Sequence, residues 1–270
     1  VKFSLGQLNG YSSPEPEYSS EAVIRVGQQM RRWYAEGLGE VLAREERTAL
    51  QQVLPMLFGY HLVQLGYLYD TDYLAESCVR HKVVADPDLT LPASQRMLLA
   101  DAAQIPLASD SVDVVILPHT LEMHPQPHQV LREVERILIP EGHVVLLVFN
   151  PWSLWGMRRA LTFGENKQAP WCCRFINPIR TKDWLEVLGF QVREVRTFFH
   201  RPPIGHPEVQ RWMAPLDGWG ERLWPAFGGV TLYVVRKRVI PITPIKPRWQ
   251  RKRRLLAADL VETRNGYQRK

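Results

Sequence analysis

The chain has 270 residues, 45% of them hydrophobic, with nine Trp, nine Tyr and nine Phe. That suffices for one substantial α/β core or two small domains, and it excludes a disordered chain. The net charge of +6 is uneven: from Arg236 onward there are 12 basic and 2 acidic residues, against 22 basic and 26 acidic before it, so any attraction to polyanions belongs to the C-terminal segment alone.

Residues 1–20, rich in Gly, Ser, Pro and Glu, read as a mobile leader, and a single domain is expected over 21–238. From Glu21 to Leu54 the apolar positions Val23, Val26, Met30, Trp33, Tyr34, Val41, Leu42, Leu50 and Val53 recur at helical spacing, interrupted at Gly37-Leu38-Gly39. This predicts a helical preface that covers part of a sheet. Strand and helix patterns then alternate, which favours a largely parallel sheet. The expected strands are His61–Leu65, Lys82–Ala85, Arg96–Ala100, Val112–Leu117 and His143–Phe149, most of them continuous apolar runs suited to burial on both faces. Pro127–Leu138 reads as a helix with Val130, Leu131, Val134, Ile137 and Leu138 on one stripe, followed by a turn at Glu141-Gly142. Thr181–Leu188 reads as a helix stopped by Gly189, and Phe190–Phe198 and Val230–Arg236 as a closing pair of strands. Beyond Arg238, prolines at 241, 244 and 247 predict an extended segment ahead of a basic cluster, Arg248–Arg254.

No charged segment followed by an apolar one opens the chain, and no run approaches about 18 apolar residues, so no membrane span is expected. The three cysteines, Cys78, Cys172 and Cys173, lack metal-ligand spacing and fit a reducing, cytoplasmic compartment. The adjacent pair reads as packing. His124 and His128 are separated by two prolines and cannot share a helical face, so no metal site is expected. Asp113 reads as a structural cap for the turn into the fourth strand.

The stretch from Met97 to Pro151 carries the chemistry. Its third strand ends at Asp101-Ala102, and the loop that follows contains Ile105-Pro106-Leu107 and Asp110-Ser111-Val112-Asp113. The fourth strand enters His119-Thr120-Leu121-Glu122, and an amphipathic helix, Glu141-Gly142 and a fifth strand complete the series. In spacing and residue type this resembles the class I S-adenosylmethionine-dependent methyltransferases, specifically the type-11 methyltransferase domain. The resemblance runs from about Phe58 to Val235. "LFGYHLVQLG", "LPHTLE", "VFNPWSLWG" and "DWLEVLGF" resemble a bacterial subgroup without an assigned substrate. It implies a Rossmann-like, mostly parallel seven-stranded sheet with helices on both faces, S-adenosylmethionine as cofactor, and an unidentified methyl acceptor.

The resemblance also places the site. Asp101 would reach the adenine amine with Ala102 beside it, the alternative being that Asp101 caps the following turn. Asp86, at the end of "KVVAD", would take the ribose hydroxyls, with Asp88 as its rival. Gly66 is the one glycine retained from a glycine-rich turn, Gln64 stands where an acidic residue is usual, and Leu117 completes the cofactor set. Tyr67 and Tyr69 follow Gly66, so the loop must take a path without further positive φ angles. His119 suits a general base, with a loop hydrogen bond as the plainer alternative. Trp152 and Trp155 either wall an acceptor site or pack a helix start. For the basic segment at residues 246–254, nucleic acid, an anionic membrane surface or solvent alone are the candidate surroundings.

Overall fold

The computed structural model describes residues 20–88, 96–162, 168–205, 207–213 and 215–238. The leader and the Pro-rich basic segment lie outside them.

Two helices open the described chain, α1 (Ser20–Tyr34) and α2 (Gly37–Val53). They break where expected because Gly37 sits at φ +55, a conformation that glycine reaches without a Cβ clash. The strands are β1 (His61–Leu65), β2 (His81–Asp86), β3 (Met97–Leu99), β4 (Val112–Pro118), β5 (Leu138–Phe149), β6 (Phe190–Phe198) and β7 (Val230–Lys237). Between β4 and β5 lie α3 (Thr120–Met123) and α4 (Pro127–Ile137), and between β5 and β6 lie α5 (Leu154–Leu161) and α6 (Pro178–Val187). The connection from β6 to β7 carries α7 (Pro207–Trp212) and α8 (Pro215–Leu223).

The seven strands form one sheet in the order β3-β2-β1-β4-β5-β7-β6. All neighbours pair in parallel except β7, which runs antiparallel to both β5 and β6. The C-terminal ends of β1 to β6 therefore lie on one edge, where the start of β7 joins them. In open parallel sheets this edge is where ligands are met.

Burial explains the layering. Strands β1, β4 and β5 are apolar on both faces, and each face gathers its own core. Met30, Leu42, Leu50 and Leu54 of the helical preface join Leu62, Val114, Val145 and Trp155 on one side. Val130, Leu131, Val134 and Ile137 of α4, with Leu185 of α6, join Val63, Val115 and Leu146 on the other. Pro127 begins α4, where its missing N–H costs no helical hydrogen bond. Helix α6 starts three residues before the expected Thr181, because the Asn177 side chain accepts the Ile179 N–H at 2.9 Å ahead of Pro178.

Two expectations change. Strand β5 begins at Leu138, not His143. Leu138 pairs with Val112 and His143 with Val114, so the segment holding Glu141-Gly142 is an outward bulge within one strand. Asp113 lies inside β4 and does not cap the turn before it. Its Oδ2 accepts the N–H groups of Tyr60 and His61 at 3.0 and 2.9 Å and so pins the start of the neighbouring β1.

No helix among the described residues is long and apolar enough to cross a membrane. No group of three or more potential metal-ligating His, Cys, Asp or Glu side chains occurs among them.

Candidate cofactor cleft

Gly66 ends β1 with φ +91, and its N–H donates to the Ala85 carbonyl at 2.8 Å. A side chain there would be strained by that angle and would approach Thr120 Oγ1 to 3.2 Å. Neither Tyr67 nor Tyr69 has a positive φ. The turn therefore spends its one left-handed residue at Gly66 and continues in ordinary backbone, the different path that the two tyrosines require. Gln64 closes this turn from below, its Nε2 donating to the Gly66 carbonyl at 2.8 Å while the Tyr73 hydroxyl donates to its Oε1. It is buried and braces the loop without facing the cleft.

Asp86 ends β2 beside this loop. Its Oδ2 accepts the Tyr67 N–H at 2.8 Å and its Oδ1 the Asp88 N–H at 2.9 Å. Burial pushes its carboxyl above the usual range, against these hydrogen bonds and the nearby Arg31 cation. Asp88 pairs with Arg31 and accepts a hydrogen bond from Gln28 Nε2 at 3.0 Å. Asp101, past β3, accepts the Ala103 N–H at 2.8 Å through an Oδ1 that also lies 3.1 Å from His124 Nε2. Partial burial works against its charge, but His124 and the Ala103 N–H outweigh that and hold the carboxyl below its usual value.

Gly66, Asp86 and Ala102 meet around one cleft, which Ala100, Thr120 and Met123 complete from the sheet side. Helix α1 closes it from above with Val23, Ile24, Gly27 and Arg31. The cavity left between them is about 30 Å³, roughly room for a water or two. Leu117 is 1% exposed and belongs to the core beneath.

His119 lies at the end of β4 and is sealed. It adopts φ +54 and is fully buried, its ring stacked on Phe149 with centroids 4.0 Å apart. Its Nδ1 lies 2.6 Å from Glu122 Oε2 and its Nε2 3.0 Å from Glu46 Oε1. Burial alone would favour the neutral ring, but Glu46 and Glu122 outweigh it and raise the His119 pKa to about 9, while burial pushes Glu122 itself up to about 7 across their 2.6 Å contact. Tyr34 donates to the same Glu46 oxygen at 3.0 Å, and Glu122 Oε1 accepts the Phe149 N–H at 2.8 Å. This buried cluster of His119, Glu46 and Glu122 fastens α2 to the end of β4. As placed, it leaves His119 no open path to an acceptor.

Trp155 is 1% exposed, donates Nε1–H to the Arg201 carbonyl at 3.0 Å and packs against Phe149, Trp33 and Phe199. Trp152 is 46% exposed. With Met157, Trp219, Leu223, Trp224 and Phe227 it lines an apolar opening of about 630 Å³ at the same sheet edge. The structure thus separates the two tryptophans, one into the core and one onto a surface. Cys172 and Cys173 have their sulfurs 4.0 Å apart, and Cys173 is buried in the core against which Cys172 packs.

Arg31 and Glu46 were not singled out by sequence. Glu46 had a legible signal, a lone carboxylate on the apolar stripe of Leu42, Ala49, Leu50 and Val53. Arg31 had none, because its carboxylate partners lie more than fifty residues away.

A family model described as a methyltransferase domain matches residues 60–146. The uncharacterized protein YafS of Escherichia coli (strain K12) is 32% identical over 206 residues, covering 73% of this chain and 78% of that protein. The chain belongs to the S-adenosylmethionine-dependent methyltransferase domain family. Solved structures share its fold. An S-adenosylmethionine-dependent methyltransferase from Thermotoga maritima superposes with a TM-score of 0.58 at 16% identity, over 82% of this chain and 100% of that one. Another from Archaeoglobus fulgidus gives 0.51 at 18%, over 72% and 94%. The [4+2]-cyclase SpnF gives 0.52 at 14%, over 73% and 81%. A protein described as a cyclase thus shares the fold, so fold alone does not fix the reaction.

Proposed function

We propose that the protein transfers a methyl group from S-adenosylmethionine to an acceptor yet to be identified. The observation that carries this reading is the convergence of Gly66, Asp86 and Ala102 on one cleft at the C-terminal ends of β1 to β3. Their chemistry suits the cofactor: Asp86 is a buried carboxylate that would accept from the ribose hydroxyls, and Gly66 lacks the side chain that would crowd a ligand. The cofactor, when bound, supplies a methyl carbon on a positively charged sulfur, open to direct displacement by an acceptor lone pair.

The chain's own task is then to hold and orient. Alignment alone lowers such barriers by as much as about 7–11 kcal/mol, without any covalent intermediate on the protein. Asp86 would serve the ribose, and Asp101, which lies between the lining residues Ala100 and Ala102 with its Oδ1 held by Ala103 and His124, would turn to the adenine amine, while Trp152 offers an apolar wall in the neighbouring opening. His119 acts as a base in this scheme only if the Glu46 and Glu122 contacts open.

One observation favours a second reading, that of a catalytically silent binding module: the cleft, at about 30 Å³, does not admit the cofactor as it stands. Thermal shift with S-adenosylmethionine and S-adenosylhomocysteine separates the two. Cofactor at 100 times its dissociation constant should stabilise the fold by about 2.7 kcal/mol, and Asp101→Ala should lose most of that shift. No shift at millimolar cofactor would sink the methyltransferase reading. A full shift in Asp101→Ala would sink the adenine assignment.

A further inference from the structure

Helix α1 contributes charge as well as apolar cover to the cofactor cleft. Val23, Ile24 and Gly27 line one side, and Arg31, one turn further along, reaches the residues that follow β1 and β2. Its side chain is 15% exposed, and those of Asp86 and Asp88 are 8% and 4% exposed. The guanidinium donates to the Tyr67 carbonyl at 3.2 Å, pairs closely with Asp88 and stands 3.7 Å from Asp86 Oδ2. One helix thereby touches both the glycine turn and the ribose carboxylate.

The volume decides what this means. A ligand of nucleoside size needs a pocket of about 300 Å³ or more, ten times the cavity present. The cofactor cannot enter while α1 holds this position. Nor can α1 leave without separating Arg31 from carboxylates that are almost out of water, where unpairing is costly. Asp86 is also contested, since its Oδ2 already accepts from Tyr67 and faces the guanidinium, while the ribose would claim the same carboxylate.

We propose that Arg31 is a latch, whose ion pairs with Asp86 and Asp88 hold α1 across the cofactor cleft and must open before the cofactor binds. The latch rests on the cofactor reading above, but it predicts a sign of its own. If only a fraction of molecules is open, the apparent dissociation constant is the intrinsic one divided by that fraction. Weakening the latch then tightens binding. An arginine that gripped the bound cofactor would do the opposite.

The test compares the full chain with its Arg31→Gln and Arg31→Lys variants, titrated with S-adenosylhomocysteine and with 5′-methylthioadenosine, which keeps the nucleoside but lacks the amino-acid tail. Hydrogen exchange of residues 20–34 is followed in parallel. Arg31→Gln should bind both ligands about tenfold or more tightly, with faster exchange along α1, and Arg31→Lys should fall between it and the parent. Unchanged affinity with unchanged exchange would overturn the latch. So would weaker binding of S-adenosylhomocysteine with unchanged binding of methylthioadenosine, which would make Arg31 a grip on the cofactor tail. If no form binds either ligand at millimolar concentration, the cofactor reading itself fails. The latch, which rests on that reading, then falls with it, whereas unchanged affinity in forms that do bind removes the latch alone.

Discussion

The cleft beside β1 and β2 and the opening beyond β5 share one edge of the sheet and are built in opposite ways. The first gathers Gly66, Asp86 and Ala102 but encloses about 30 Å³. The second encloses about 630 Å³ among largely apolar side chains. One has recognition groups without room, and the other has room with few polar groups to orient a guest. Phe149, Trp155 and Phe199 pack ring against ring as an aromatic wall within the core. Residue identity and free volume are thus separate requirements for a site.

Breaking the wall should have the largest effect. Trp155→Ala should cost about 3–5 kcal/mol, because it empties a fully enclosed ring site and leaves the Arg201 carbonyl without its donor. Urea unfolding measures this directly, and a loss below about 1 kcal/mol would mean that the wall is far looser than its packing implies. Glu46→Gln should cost about 1–3 kcal/mol, since it weakens a charge-assisted bond inside a fully buried site.

The sealed imidazolium also gives a pH signature. Its folded pKa, about 9, lies above the 6.5 of the unfolded chain. Its contribution is therefore full below pH 6.5 and is lost as pH rises through about 9. The melting temperature of the parent should fall more steeply between pH 7 and 10 than that of His119→Gln, and parallel curves would contradict the ion-pair assignment. The smallest effect belongs to the open side. Trp152→Ala should change stability by no more than about 0.5 kcal/mol, because its ring is half in solvent already. A large loss would mean that this tryptophan packs as Trp155 does.

Strands β1, β4, β5 and β7 were legible in sequence because a strand covered on both faces needs a continuous apolar run, whereas β6 is a largely exposed edge strand of mixed polar and apolar residues, legible from its β-branched and aromatic content. Strand β5 was shortened at its start, since Pro140-Glu141-Gly142 carries turn residues whether the chain turns or bulges. Helix α3 has four residues, too few for a period, and α5 and α8 show exposed Leu, Met and Trp that blur the amphipathic pattern. The resemblance implied Gly66, Asp86 and Ala102 as a set, and the structure brings the three together around one cleft because they follow successive parallel strands. The sealing of His119 could not, as it depends on α2 folding back over β4, a contact between residues 73 positions apart.

The central claim is that the cleft at Asp86 binds the cofactor, and isothermal titration of the full chain with S-adenosylhomocysteine tests it most directly. Saturable one-site binding is expected, and Asp86→Ala should abolish or severely weaken it. No heat up to millimolar ligand, or undiminished binding by Asp86→Ala, would contradict it.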